Sequence, residues 1–119
     1  MTDNRKILGK WGEQKAKDYL LSEGYRLLAE NWRNRYGEID LIMLEGETVV
    51  FVEVRTKKNN NYGYGFETVN KKKQEQLLKM ANMYLSAKKW WNRNIRFDVI
   101  SIDAENGRYK LRQIKNVIM

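Results

Sequence analysis

Apolar residues recur at Ile7, Leu8, Trp11, Ala16, Tyr19 and Leu20, the spacing of one helix face, with Thr2 or Asp3 as cap and Gly24 as stop. Tyr25 to Trp32 then reads as a strand, and Arg33-Asn34-Arg35-Tyr36-Gly37 as a turn. Two dense apolar runs follow, Glu38 to Glu45 and Thr48 to Thr56, joined by Gly46-Glu47. Glycine at the first turn position suits a type II′ hairpin. Lys57 to Phe66 is read as a loop, with three consecutive asparagines (Asn59, Asn60, Asn61) and Gly63 and Gly65. The pattern returns to helical spacing from about Asn70 to Lys89, with Leu77, Leu78, Ala81, Tyr84 and Leu85 as the expected buried stripe. Ile95 to Asp103 is a strand, Ala104 to Gly107 a turn, and Arg108 to Asn116 a last strand. The order is α-β-β-β-α-β-β. We expect one α/β domain over residues 1–119, a mixed sheet with helices packed against it.

The hairpin contains polar residues that a buried sheet would not tolerate unaided. If Gly46-Glu47 is a two-residue turn, Glu45 faces Thr48, Asp40 faces Glu53 and Glu38 faces Arg55. Strict alternation then puts Glu38, Asp40, Glu53 and Arg55 on one face, beyond the apolar Ile42, Leu44, Val49 and Phe51. Ile39, Leu41, Met43, Val50, Val52 and Val54 fill the other face, as in strands covered on both sides. Facing residues have Cβ atoms roughly 4.5–5.5 Å apart, so two carboxylates there repel unless a cation compensates them. A Glu45-Gly46 turn would slide the register by two and pair Glu38 with Glu53, leaving the face the same. The competing explanation is a structural ion-pair cluster, with Arg55 neutralising Glu38 and Glu53.

Composition narrows the chemistry that such a cluster can perform. Neither Cys nor His occurs, which excludes disulfides, thiolate nucleophiles, imidazole ligands and His-dependent triads. An all-oxygen site suits a hard cation, Mg²⁺ or Mn²⁺. No apolar run is long enough for a transmembrane helix, and Met1 to Lys10 is too polar for a signal peptide. The expected location is the cytoplasm, with no membrane partner.

The net charge of +8 is lopsided: residues 55–96 carry 11 Lys/Arg against 2 acids, and the remainder 12 against 13. Such a field attracts a polyanion, and nucleic acid is the expected partner. Lys57 and Lys58 follow the acidic motif directly. Lys71, Lys72 and Lys73 open the second helix, where free N–H groups add to the pull on a phosphate. Tyr62, Tyr64 and Phe66 lie in a loop that can either stack on bases or stay loose with Phe66 tucked into the core. Trp90 and Trp91 read as a hydrophobic clasp at a helix end, and Trp11 and Trp32 as core residues.

The ordered set Gly12-Glu13 with Ala16 and Tyr19-Leu20, Asn31-Trp32-Arg33, Tyr36 to Ile42, Phe51 to Arg55, Val69, Lys73-Gln74, Leu77 and Arg96 to Ile100 resembles the YraN-like family of small bacterial proteins. That family resembles archaeal Holliday-junction resolvases and the PD-(D/E)xK, or restriction-endonuclease-like, nuclease superfamily. The resemblance implies that fold and a metal-dependent endonuclease acting on DNA, branched or damaged. By position it implies that Asp40, Glu53 and the Val54 carbonyl bind Mg²⁺ or Mn²⁺, with Glu13 on the first helix completing the site and Glu38 supporting it. The third motif residue is usually Lys and would stabilise the attacked phosphate. Here it is Arg55, which stays charged, cannot act as a general base and can still clamp a phosphate. Lys57, Lys73 and Gln74 are further candidates for the phosphate or the attacking water. Related resolvases pair to cut two strands, so a homodimer is also implied. The other expectations are a nucleic-acid-binding module of the same fold without turnover, and a scaffold or partner-binding protein whose acids are merely salt-bridged.

Overall fold

The computed structural model describes residues 4–58 and 70–118. The proposed caps Thr2 and Asp3, most of the Lys57–Phe66 loop and Val69 lie outside the described residues. The elements are α1 (Asn4–Ser22), β1 (Arg26–Asn34), β2 (Gly37–Glu45), β3 (Thr48–Lys58), α2 (Lys71–Lys88), β4 (Ile95–Glu105) and β5 (Arg108–Ile114), in the expected order. The strands form a five-stranded sheet in sequential order. The neighbours β1/β2, β2/β3 and β4/β5 are antiparallel, and β3/β4 is parallel, its crossover carrying α2. A parallel pair needs such a long connection, whereas an antiparallel one can close in two residues.

The turns show why the antiparallel pairs close where they do. Glu45 pairs with Thr48, and Gly46 takes φ 58 at the first turn position. Glu47 does not share the positive φ, which is the type II′ pattern. In the last hairpin Asn106 and Gly107 both have positive φ (50 and 75), a type I′ turn, so β4 extends two residues past the expected Asp103.

Each face of the sheet carries a helix. On one, α2 buries Leu77, Met80, Ala81, Tyr84 and Leu85 against Ile42, Val49, Phe51, Phe97 and Val99. This is the i, i+3, i+4, i+7, i+8 stripe, and it leaves Leu78 exposed, so Met80 takes the place expected for Leu78. Asn70 caps α2 by accepting from the Lys73 N–H at 2.8 Å. On the other face α1 buries Ala16 and Leu20 against Leu41, Met43, Val50, Val52, Ile100 and Ile102. Trp32 and Trp90 pack against the α2 core and Trp11 against the α1 core, whereas Trp91 is 71% exposed and no part of a clasp.

The Arg96-Phe97-Asp98 segment does structural work. Asp98, 1% exposed, accepts Arg96 Nε and Nη2 (both 2.9 Å), Gln113 Nε2 (2.9 Å) and the Asn116 N–H (3.1 Å). Arg96 also donates to Glu45 (2.6 Å) and to the Tyr25 hydroxyl (2.8 Å), tying β4 to the β2–β3 hairpin and to the residue just before β1. A buried charge is tolerable only when paired and hydrogen-bonded this fully.

Candidate metal centre

The acidic residues gather where β2 leaves β3. The register is the expected one, but the paired ladder runs only from Glu45↔Thr48 to Leu41↔Val52. Beyond it the Asp40 carboxylate takes a backbone donor, accepting the Val54 N–H at 2.8 Å. Asp40 thus sits in the gap between the strands and ties β2 to β3 through its side chain.

The expectation of one shared face is corrected here. Ile39 packs in the α2 core with Ile42, while Leu41 and Met43 lie in the α1 core, so strict alternation fails between Ile39 and Leu41. Across the sheet, Glu30 pairs with Leu41 and Trp32 with Ile39, which leaves Asn31 opposite Asp40 with φ 49. An asparagine tolerates this left-handed conformation better than most residues. The paired irregularity turns Glu38 and Asp40 toward α1. Glu53 stays on the α2 side, where its Oε1 lies 3.1 Å from Lys73 Nζ and its Oε2 3.4 Å from Arg55 Nη2.

Helix α1 supplies the next carboxylate, and Gly12 explains how. Gly12 is buried, and a Cβ built on it would collide with the Thr56 hydroxyl and lie 3.0 Å from the Thr56 Cβ. Only a bare Cα lets the helix approach β3 this closely, which carries Glu13 to the site. One oxygen each from Glu13, Glu38 and Asp40 lie within 4.8 Å of one another. Asn31 Nδ2 donates to both Glu13 Oε1 (3.0 Å) and Glu38 Oε1 (3.3 Å). Sequence reasoning gave Asn31 no part in the site; the available signal was its place one residue before Trp32, opposite Asp40 once the first two strands are paired.

Burial pushes the Asp40 carboxyl up to about 7, the Val54 N–H pulls it back in part, and the negative charges of Glu53, Glu13 and Glu38 raise it further. The Glu13, Glu38 and Asp40 carboxylates converge on a partly buried spot with Glu53 nearby, and the charge of Asp40 is only partly offset, by the Val54 N–H. The all-oxygen donor set fits a hard divalent cation in chemistry and spacing.

The cationic candidates divide. Arg55 and Lys73 stand beside Glu53, while Glu38 has Arg33 Nε at 3.7 Å. Gln74 is half-buried in the first turn of α2, and Lys71 and Lys72 are exposed there. Lys57 and Lys58 lie at the far end of β3, opposite Asp103 and Ala104 of β4. No helix among the described residues is long and apolar enough to cross a membrane.

Residues 12–102 match the model of a family described as "Uncharacterised protein family UPF0102". The chain belongs to the UPF0102 family. The UPF0102 protein of Fusobacterium nucleatum is 36% identical to it over 115 residues, covering 97% of this chain and 93% of that one. That of Persephonella marina is 45% identical over 100 residues (84% and 86%), and that of Herpetosiphon aurantiacus 38% over 121 (98% and 98%). The UPF0102 match begins at the glycine that seats α1 and includes Glu13, Asn31, Glu38, Asp40, Glu53, Arg55, Lys73 and the Arg96–Asp98 pair.

Proposed function

We propose that this protein is a metal-dependent endonuclease that holds Mg²⁺ or Mn²⁺ and hydrolyses phosphodiester bonds in DNA, with branched or damaged DNA as its substrate class. The observation that carries the reading is the convergence of Glu13, Glu38 and Asp40 oxygens within 4.8 Å, beside Glu53, around a carboxyl whose ionisation the protein alone opposes. Asp40, Glu53 and Glu13 are the ligands, the Val54 carbonyl is a further donor, and Glu38 supports Glu13 through their shared Asn31 amide. The resemblance to resolvases argues for DNA and for a homodimer that presents two such sites; the proposed setting is the cytoplasm.

When bound, the metal supplies Lewis-acid neutralisation of the scissile phosphate and lowers the cost of deprotonating water. The protein's own groups do the rest. Arg55 and Lys73, on the Glu53 side, take the non-bridging phosphate oxygens. Arg55 cannot accept a proton, so a carboxylate of the cluster takes it from the attacking water. The water oxygen bonds to phosphorus, one ester P–O bond breaks, and the departing oxygen takes a proton from solvent and leaves as a hydroxyl, while the carboxyl returns its own proton to solvent. Gln74 orients the water or phosphate, and Lys57, Lys58, Lys71 and Lys72 hold the flanking backbone.

Arg55 in place of the usual Lys favours a second reading, a binding module without turnover. Labelled four-way junction, flap, duplex and single-stranded DNA, incubated with Mn²⁺, Mg²⁺ or EDTA, separates the two. Metal-dependent cutting that disappears in Asp40→Asn establishes the nuclease. Bound but uncut DNA establishes the module, and DNA neither bound nor cut refutes both.

A further inference from the structure

The turn between β1 and β2 presents two cations on one aromatic ring. Lys79 Nζ lies 4.0 Å from the centroid of the Tyr36 ring and Arg35 Cζ 4.9 Å from it. Arg35 Nη2 also donates to the Tyr36 hydroxyl at 2.8 Å. Arg35, Tyr36 and Lys79 are all exposed. Among the described residues neither cation has a carboxylate within ion-pairing distance. Two like charges are thus held side by side, stabilised by the π face and the hydroxyl of one tyrosine and by no carboxylate among the described residues.

The turn is pinned rather than loose. Gln76 Nε2 donates to the Tyr36 carbonyl at 2.9 Å, and Asn34 Oδ1 accepts the Tyr36 N–H at 2.7 Å. Asn34 Nδ2 reaches Met83 Sδ at 3.6 Å, so the turn rests on α2 at both Gln76 and Met83. A basic face kept only for solubility gains nothing from such fixing, whereas a pair of cations that must meet an anion does.

Position completes the argument. Lys79 is on the same helix as Lys73, which touches Glu53 in the acidic cluster. Six residues of α-helix separate them by about 9 Å along the axis, and a nucleic-acid strand carries a phosphate about every 3.4 Å of its own axis. Along α2 the pair therefore stands two or three phosphate spacings from Lys73, the residue that touches Glu53, and Tyr36 precedes Glu38 by two residues.

We propose that Arg35 and Lys79, ordered on Tyr36, form a phosphate clamp for the nucleic-acid strand that enters the acidic site. The clamp rests on the nuclease reading and names the contact that sets the strand's register. It binds phosphate oxygens and not bases, because the cations already occupy the ring.

The test is fluorescence anisotropy with a labelled four-way DNA junction in EDTA, at a series of salt concentrations, on wild type and R35A/K79A. The expected loss is about tenfold in affinity, with a salt dependence shallower by about 0.7–0.9 for each phosphate contact removed. Mn²⁺ binding by calorimetry and the unfolding midpoint stay at wild-type values, which shows that the fold and the acids are intact. Tyr36→Leu, which keeps both cations and removes their platform, falls between the two. Wild-type affinity and salt dependence in R35A/K79A overturn the clamp while leaving the nuclease reading standing. No binding by wild type overturns that reading, and the clamp with it.

Discussion

Replacing Asp40 by Asn should make the metal-free protein more stable, although Asp40 is the hub of its site. The carboxyl titrates near 3.8 in an unfolded chain and near 7 in the fold. The folded state therefore binds the proton more tightly. Below about pH 3 both states are largely protonated and the group imposes almost no cost. As pH rises from about 3 to 7 the unfolded carboxyl ionises freely and the folded one does not, so stability falls, and above 7 the full cost remains. At 1.36 kcal/mol per pH unit the difference of roughly 3 gives about 4 kcal/mol, and solvent at the partly exposed edge reduces this to about 2–4 kcal/mol. Asn keeps the shape and still accepts the Val54 N–H, so the hydrogen bond that ties β2 to β3 survives. Urea unfolding in EDTA near pH 3, 6 and 8 measures the effect: nearly equal stabilities at the acid end, then an advantage for Asp40→Asn that grows with pH. A variant no more stable than wild type near pH 8 refutes the argument that incompletely offset charge is concentrated at Asp40.

Three further outcomes follow from the packing. Gly12→Ala forces a methyl into Thr56, so it should cost about 1–3 kcal/mol in unfolding free energy and weaken Mn²⁺ binding by displacing Glu13; Gly12→Ala with Thr56→Ala should recover much of both. Asp98→Ala leaves Arg96 with only Glu45 and the Tyr25 hydroxyl, takes the acceptor from Gln113 and the Asn116 N–H, and should cost about 2–4 kcal/mol by chemical denaturation. Its Mn²⁺ affinity, measured where the variant remains folded, should match wild type, because none of these hydrogen bonds reaches Glu13, Glu38, Asp40 or Glu53. Lys73→Ala removes the nearer of the two cations that compete for Glu53, so calorimetry should show tighter Mn²⁺ binding while any DNA cleavage drops.

The parts of this protein legible in its sequence are those governed by local periodicity. Gly46 before Glu47 specified the hairpin and hence the pairing of Leu41 with Val52, and the α2 stripe followed helical spacing apart from Leu78. What stayed hidden depends on neighbours distant in sequence. The left-handed Asn31 and the register shift between Leu27 and Ala29 arise in β1, yet their consequence is the direction in which Glu38 and Asp40 point. Strict alternation, applied to β2 alone, could not include them. Glu13 was assigned through resemblance, and its physical reason, the bare Cα of Gly12 against Thr56, exists only once the helix is seated on the sheet. The Lys73–Glu53 pair likewise requires the crossover helix to return beside the hairpin. Arg35 and Lys79 lie far apart in the chain, and only the docking of the turn on α2 shows that they share a ring.

The most direct test of the central claim, that these acids form a divalent-cation site, is calorimetric titration of the protein with Mn²⁺ near pH 6, in two buffers of different ionisation enthalpy. The account predicts saturable binding that releases a proton from the Asp40 carboxyl, which lies near 7, and binding that is lost in Asp40→Asn and weakened in Glu53→Gln. Equal Mn²⁺ binding by wild type and Asp40→Asn, or none by either, would contradict it.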